Sequence, residues 1–405
     1  MKHKFLDTKG NVIMKEEKFY DKDLTQYAID SRLVRGDPCT EKGQVTFLPR
    51  GAILREIIYD YLYSLHIDED AFFLRTPITL DYKNPAVKSH ADLSGEGIYH
   101  TESTGSDLIL KHGTIFSQME IMNEKPIPVK SLPIKMFEIA DCHRIEEESR
   151  LNLLSRPRQF SMIDMHIICQ DIEACKLEAE RISSKILDIN KAMGLELEAE
   201  FTVDDAFMEN DSSWINKLVK LHGKPVKIAK ANPEKKRPIN VEYFSSGIEV
   251  AAFQIDKCNA EKFNLELDDG TIPVIMHVSF AGSIERLIYA IMNNVKDNAF
   301  PVWLAPEQAR ILLNENMGTL ADVKRLKREG YRVTIDDRNL MPEEKITFAK
   351  KAFVPVIINE SKNGFTFEGE QINDLYTFLK DKIGNPGKCI TYPVQLSKWP
   401  EQFVV

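Results

Sequence analysis

Apolar residues return at helical spacing over Ile53, Leu54, Ile57, Ile58 and Leu62, just after the strand-like QVTF, and predict a short strand and a helix from Gly43 onward. The next apolar run, FFLRTPITL, reads as a strand carrying Arg75, Thr76 and Pro77, the proline standing at an edge or bulge where its missing donor breaks no ladder bond. SHADLSGEGIYHTESTGSDLILKHGTIFSQMEIM then gives a glycine-rich turn, a strand and a helix from Phe116 to Met122, with His90 ahead of the turn. From Cys142 to His166 the pattern is a strand, a polar loop and an antiparallel strand. Alternate strand residues face one way, so Arg144 and Glu146 are expected to point together into one cleft.

IICQDIEACKLEAERISSKILDINKAMG is a long amphipathic helix closed at Gly194. A strand, a helix from Trp214 to Leu221 and the turn-rich HGKPVKIAKANPEKKRP follow. INVEYFSSGIEVAAFQID predicts an antiparallel hairpin about a tight Ser-Ser-Gly turn, and HVSFAGSIERLIYAIM a strand, a Gly-Ser turn and a helix with Arg286 in its first turns. PVWLAP marks a boundary with an exposed aromatic between prolines. Strands and helices then alternate at the spacing of a small α/β domain. Residues 1 to about 45 read as a polar lead-in with one helical pattern from Asp23 to Leu33.

A chain of 405 residues, 43% of them apolar, suits two or three domains with a buried core in each. No apolar run approaches the length of a membrane span and the opening MKHKFLDTKG has no apolar signal core, so a cytoplasmic location without membrane attachment is expected. The six cysteines are scattered without CxxC spacing, which argues against a disulfide framework or a four-cysteine zinc site and for mostly buried thiols. A formal net charge of −9 disfavours indiscriminate nucleic-acid binding. Two basic patches remain, one over Lys324, Arg325, Lys327, Arg328 and Arg332, the other over Lys224, Lys227, Lys230, Lys235, Lys236 and Arg237. Either is a local nucleic-acid contact or a solvated face.

An Arg-x-Glu pair by itself is most often a weak surface ion pair. Here Arg144 and Glu146 are followed by Arg156, Arg158 and Phe160 and, far downstream, by G-S-I-E-R ending at Arg286. Arginine presents a rigid fork of donors to phosphate oxygens, so the set suits a nucleotide. In this order it resembles motifs 2 and 3 of the class II aminoacyl-tRNA synthetases, and the helix leading into Arg75–Pro77 resembles their motif 1, a dimer-interface element. Within that class LPRGAILREII, SLPIKMFEIADCHRIE, RQFSMIDMHIIC, AAFQIDKCNAEKF, PVIMHVSFAGSIER and FPVWLAPEQARI are similar to archaeal-type threonyl-tRNA synthetases from about Gly43 to the C-terminus.

The resemblance implies an α+β class II core, an antiparallel sheet flanked by helices, over 43–300, an α/β anticodon-binding domain over 301–405, and a lead-in over 1–42. It implies that Arg144 holds the α-phosphate of ATP and the substrate carboxylate, Glu146 orients the adenine, Phe160 stacks on it, Arg156 and Arg286 take the γ-phosphate, and Gln254 lies near the α-phosphate. Magnesium and these arginines would supply the charge stabilisation. His90 would stand near the terminal ribose of tRNA as a proton shuttle, and Asp336, Asp337 and Arg338 would sit in the strand-end turn of the anticodon domain.

His166 and His277 match the family's two zinc-binding histidines, but the cysteine position is Ile115, with His112 the nearest alternative. Asp164 matches, whereas Met162 replaces a threonine-contacting glutamine and Val278 replaces an arginine found in many members. Residual zinc on two histidines, or hydrogen-bonded pocket histidines without it, are both open at this level. The expected activity is that of a homodimeric ligase that activates threonine with ATP and transfers it to tRNA. Alternatives are a paralogue that adenylates another small amino acid such as serine for a non-tRNA acceptor, and a non-catalytic module that binds tRNA or a synthetase. Archaeal members usually carry an N-terminal editing domain, for which there is no room before Gly43, so proofreading is expected either from a trans-editing protein or not at all.

Overall fold

Burial alternates along Glu198–Val203 and Ile239–Ser245, as on strands with one covered face, whereas Gln159–Cys169 is almost wholly buried and must be covered on both sides. The computed structural model describes residues 2–16, 23–94, 97–103, 105–232, 237–295, 298–313, 319–361, 363–387 and 392–405. By internal contacts it divides into one unit of residues 1–22 and 62–290 and another of 23–61 and 291–405.

In the first unit a ten-stranded sheet runs Val12–Glu16, Lys2–Leu6, Val226–Lys230, Glu198–Val203, Ile239–Ser245, Ile248–Asp256, Val274–Ser283, Gln159–Cys169, Ile134–His143 and Phe72–Leu74. Its centre is antiparallel, with parallel pairing at Glu198–Val203 against Val226–Lys230 and at the Phe72–Leu74 edge. Ser246 and Gly247 both have positive φ, 49° and 77°, which gives the hairpin of Ile239–Asp256 a turn matched to strand twist. Helix Ile172–Ala192 is capped by the Asp171 carboxylate, which accepts from Ala174 N–H. It is tied to the sheet where Asn190 Nδ2 donates to the Phe280 carbonyl at 3.1 Å.

Several expected elements differ. Residues 2–16 are the hairpin at one sheet edge and not a lead-in, and Val226–Lys230 is a strand inside the stretch read as turns. The run FFLRTPITL is two strands, Phe72–Leu74 and Thr79–Asp81, because Thr76 turns its N–H to Glu138 Oε1 at 2.8 Å and Pro77 has none to give. His90 lies in helix Pro85–Ser94, and the single strand expected after it is a hairpin, His100–Ser103 with Ser106–Leu110. The hairpin bearing Arg144 is shorter than its pattern. Strand Ile134–His143 stops before Arg144, whose N–H bonds the Arg158 carbonyl at 2.9 Å, while Ile145 N–H turns away to Gly97. Strand Val274–Ser283 passes into helix Ile284–Asn294 without an intervening turn.

The second unit is an α/β layer. Strands Val333–Asp336, Ala309–Leu312 and Val356–Ser361 are parallel neighbours, and Gly364–Phe367 and Glu370–Ile372 extend the sheet as antiparallel strands that the pattern did not predict. Helices Leu320–Arg328, Pro342–Lys351 and Leu375–Ile383 accompany it. Its core gathers Ile311, Val333, Ile335, Val356, Ile358 and Leu379. Contact places the second division at 290/291, ahead of the expected 301, and Trp303 is part-covered by Tyr61, ring centroids 4.9 Å apart. Arg332 is not in a surface patch. It is 2% exposed and donates to the carbonyls of Ala305, Trp303 and Pro386. The second patch is largely paired: Lys224 with Glu196, Lys227 with Glu200, Lys230 with Asp205 and Arg237 with Asp256, while Lys235 and Lys236 lie outside the described residues. Of the described cysteines, Cys142, Cys169 and Cys175 are buried, and Cys389 lies outside the described residues. Among the described residues no helix is long and apolar enough to cross a membrane.

One buried network binds this unit. Glu307 accepts from Arg50 at 3.1 Å, from Arg310 at 2.7 Å and from Thr334 Oγ1 at 2.7 Å. Burial pushes the Glu307 carboxyl up, but Arg310 and Arg50 more than offset this and hold it at about 2, while burial draws Arg50 down to about 10, so the set is ionic at neutral pH. Glu307→Gln would strand two guanidinium groups in a dry interior, at a cost of roughly 3–5 kcal/mol. We expect a clear loss in the urea midpoint of this unit, read by tryptophan fluorescence; a shift of a few tenths of a kcal/mol would show that the network contributes little.

Candidate active site

Strand Gln159–Cys169 lies between Ile134–His143 and Val274–Ser283, and this register assembles the site. Phe160, Met162, Asp164 and His166 share one face by the two-residue period. Across the ladder His166 pairs with His277, and His277 pairs with Gln254 on Ile248–Asp256, so three side chains stand in a row over adjacent strands. The pairing is irregular between Met162 and Asp164, a bulge at which Gly282 and Ser283 come round to the mouth of the site. Gly282 has φ +61°, and an added Cβ would stand 3.2 Å from the Val250 carbonyl oxygen, so glycine is required there.

Two cavities open on this face, of about 200 and about 210 Å³. Arg144, Met162 and His277 line both. The first also takes Glu146, Arg156, Phe160, Glu249 and Arg286. The second takes His90, His112, Ile115, Asp164, His166 and Gln254. The residues that the resemblance assigned to ATP and the amino acid thus each line one of two adjoining hollows, whereas Arg158 and Val278 line neither, and Arg144, Glu146 and Arg156 lie in loop and not in strand.

In the first cavity each arginine is held by oxygen. Arg144 Nη2 donates to the His112 carbonyl at 3.0 Å, with its guanidinium 5.0 Å from the Phe160 ring centroid. Arg156 meets Glu146 Oε2 at 3.1 Å. Arg286 donates to the Ser155 carbonyl at 3.0 Å and to Glu249 Oε2 at 2.9 Å. Arg158 braces the loop by donating to the Glu146 carbonyl at 3.0 Å. These contacts sit beside open space and can exchange for anionic oxygens of a ligand.

The second cavity is lined by more deeply buried side chains, His112, Asp164 and His166 among them. Asp164 is 1% exposed; burial pushes its carboxyl up against the pull of His277, Ser279 and Thr114, the Thr114 Oγ1 lying 3.4 Å from Oδ2, and Oδ1 has only the nearby Ser279 hydroxyl, short of full hydrogen-bond geometry, to face it. A buried carboxylate oxygen facing a cavity calls for a cationic or hydroxylic guest. His166 Nδ1 lies 2.9 Å from Gln118 Oε1, and His166 Nε2 lies 3.2 Å from His277 Nδ1. His90 Nδ1 lies 3.3 Å from His112 Nε2. Burial lowers the His166, His90 and His112 rings: His166 falls well below its ordinary value, His90 to about 4 and His112 to about 3. His90, on helix Pro85–Ser94, is part of the cavity wall.

The donor set does not fit zinc. Ile115 is 6% exposed and packs with Phe116, Met119 and Ile275, and among the described residues no three His, Cys, Asp or Glu side chains are placed to hold a metal ion. Sequence reasoning passed over Gln118 and Glu249, and read Arg237 only as part of a basic patch. A buried amide in the apolar helix Ile115–Met122 was a usable signal for Gln118. Nothing local distinguishes Glu249, which follows a turn, or Arg237, which is brought to the cavity by its bond to Asp256 at 3.3 Å. In the other unit Asp336 is buried and chelated by Arg338 at 2.8 and 2.6 Å, and Asp337 accepts from Gln395 and Ser397.

Comparison with known proteins agrees with this geometry. Residues 99–295 match the tRNA synthetase class II core domain (G, H, P, S and T). A threonine–tRNA ligase of Pyrobaculum aerophilum is 30% identical over 91% of this chain and 66% of its own length. That of Methanococcus aeolicus is 29% identical over 85% of this chain and 58% of its own. The chain thus spans less than two thirds of the length of these relatives. In fold it is similar to the crystal structure of the RNA binding domain of threonyl-tRNA synthetase from Cryptosporidium parvum, with TM-score 0.73, 19% identity, and 84% of this chain and 90% of that one covered.

The histidines make the chain acid-sensitive. In the unfolded chain they take a proton near 6.5; folded, His90, His66 and His222 resist it to about 4 and His112 to about 3. Stability is therefore full above about pH 6.5 and is lost as pH falls from there towards 3. We expect the thermal midpoint to drop through this window, and His112→Asn to flatten the drop; an unchanged slope in the variant would remove His112 from the account.

Proposed function

We propose, for a chain that carries the core domain of the class II tRNA synthetases, that it activates threonine with ATP and transfers it to tRNA. The observation that carries this reading is the pair of hollows meeting at Arg144, Met162 and His277. One is lined by arginines and an aromatic ring, as a nucleoside triphosphate requires. The other is small and offers the buried Asp164 oxygen, as an amino acid's ammonium or hydroxyl group requires.

In the proposed reaction an oxygen of the amino acid carboxylate attacks the α-phosphorus of ATP. An acyl–phosphate bond forms, the bond to the bridging oxygen breaks, and pyrophosphate leaves with the electron pair. No proton need move. Catalysis then rests on bringing the two reactants together and on charge stabilisation at the phosphate oxygens. Arg144 stands where the hollows meet and can hold both the carboxylate and the α-phosphate, with Gln254 beside it. Phe160 supplies the face for adenine, Glu146 orients it, and Arg156 and Arg286 take the γ-phosphate on release from their carboxylate partners. Asp164 would take the ammonium group, with Met162 closing the pocket wall.

Magnesium would be held on the carboxylate side of the arginine-bearing hollow, where Glu249 lines the wall, and would neutralise charge on the phosphate oxygens. His90 would shuttle a proton during acyl transfer to the tRNA ribose, and the unit of 291–405 would meet the anticodon. Ile67, Phe72 and Ile78, each at least half exposed on either side of the Phe72–Leu74 edge, support a homodimer of this cytoplasmic enzyme.

Amino-acid-dependent exchange of pyrophosphate into ATP is expected with threonine, and Arg286→Ala should lower it by at least about 100-fold at unchanged thermal midpoint. Exchange with no amino acid would refute the ligase reading. Exchange without charging of tRNA would move the acceptor to another carrier.

A further inference from the structure

We propose that Gln118, His166 and His277 form a metal-free hydrogen-bonded chain that ends in an acceptor for the hydroxyl group of the amino acid; this rests on the ligase reading above. The direction of the chain follows from the orientation of the Gln118 amide, whose oxygen faces His166 while its Nε2 is buried without a partner. The Gln118 amide oxygen can only accept, so His166 Nδ1, 2.9 Å away, carries the hydrogen. A neutral His166 then presents a lone pair at Nε2, and His277 Nδ1, 3.2 Å away, must donate to it. That leaves the His277 lone pair on Nε2, the ring nitrogen not engaged in the chain, and His277 lines both cavities. A guest hydroxyl can donate there.

A metal ion between the rings would need lone pairs on both His166 Nε2 and His277 Nδ1, and a third ligand besides. The third position is taken by Ile115, which belongs to an apolar cluster with Phe116, Met119 and Ile275. His112, the remaining imidazole on that side, faces His90 at 3.3 Å. The proton shared by the two rings therefore occupies the place a cation would take. Gln118 touches no substrate in this account. It is a positioning residue, and its buried amide selects the tautomer of both rings.

The test begins with the metal content of the purified full chain, measured directly by mass spectrometry before and after equilibration with zinc(II) and dialysis. Well under one zinc per chain is expected. About one per chain, abolished by His166→Ala, would overturn the proposal whether or not the chain is active. The second arm measures threonine binding by calorimetry, so that it too is independent of turnover. Gln118→Met should weaken threonine binding about tenfold, the worth of one misdirected hydrogen bond, and leave ATP binding unchanged. Gln118→Glu, which keeps the acceptor, should restore most of it. Equal threonine affinity in Gln118→Met and wild type, or no rescue by Gln118→Glu, would overturn the chain. Absence of pyrophosphate exchange with every amino acid refutes the proposed function instead.

Discussion

The site depends on the pairing register of three antiparallel strands, Ile134–His143, Gln159–Cys169 and Val274–Ser283. Because side chains alternate, a slip of one residue would turn Phe160, Met162, Asp164 and His166 from the cavity to the opposite face. The slip is prevented by the opposite face itself: Ile163, Met165 and Ile167 are 1% exposed or less, as are Phe137 on one neighbour and Val278 and Phe280 on the other. Packing beneath the sheet thus fixes chemistry above it. Thr76, Lys111 and Glu138 add a buried polar clamp in which Lys111 donates to Glu138 at 2.8 Å and holds the chain next to His112, whose carbonyl orients Arg144.

On that floor the two hollows differ in how they treat charge. Around Arg144, Arg156 and Arg286 the partners are carbonyls and part-exposed carboxylates, contacts worth little in water and cheaply exchanged. Asp164 and His166 are buried, and an unfilled acceptor there is expensive. One half is therefore suited to a large polyanion that enters from solvent. The other is suited to selecting a small guest by its hydrogen bonds, because a site that leaves buried polar groups unpaired rejects analogues that cannot pair them.

Much of this was legible in the chain. The Arg144–Phe160 and Gly282–Arg286 patterns, the Ile239–Asp256 hairpin and the helix ending at Gly194 carry their signals in a few neighbouring residues, and periodicity reports them well. The lapses share a cause. Residues 2–16 carry only two short apolar runs among polar residues and look unstructured locally, yet their first strand pairs with Val226–Lys230 from far along the chain. Arg332, read as part of a basic surface, is buried because three carbonyls from Ala305, Trp303 and Pro386 converge on it.

By itself the sequence determined which residue types could meet a nucleotide, and that an aliphatic side chain stands at position 115, since both are matters of chemical identity. Only the tertiary structure decided that His112 turns inward, that Gln118 stands behind His166, and that Glu249 faces Arg286. Hydrogen bonds between residues far apart in the chain leave no periodic trace, and their direction is set by which donors and acceptors the packed strands bring within three ångströms or so of each other.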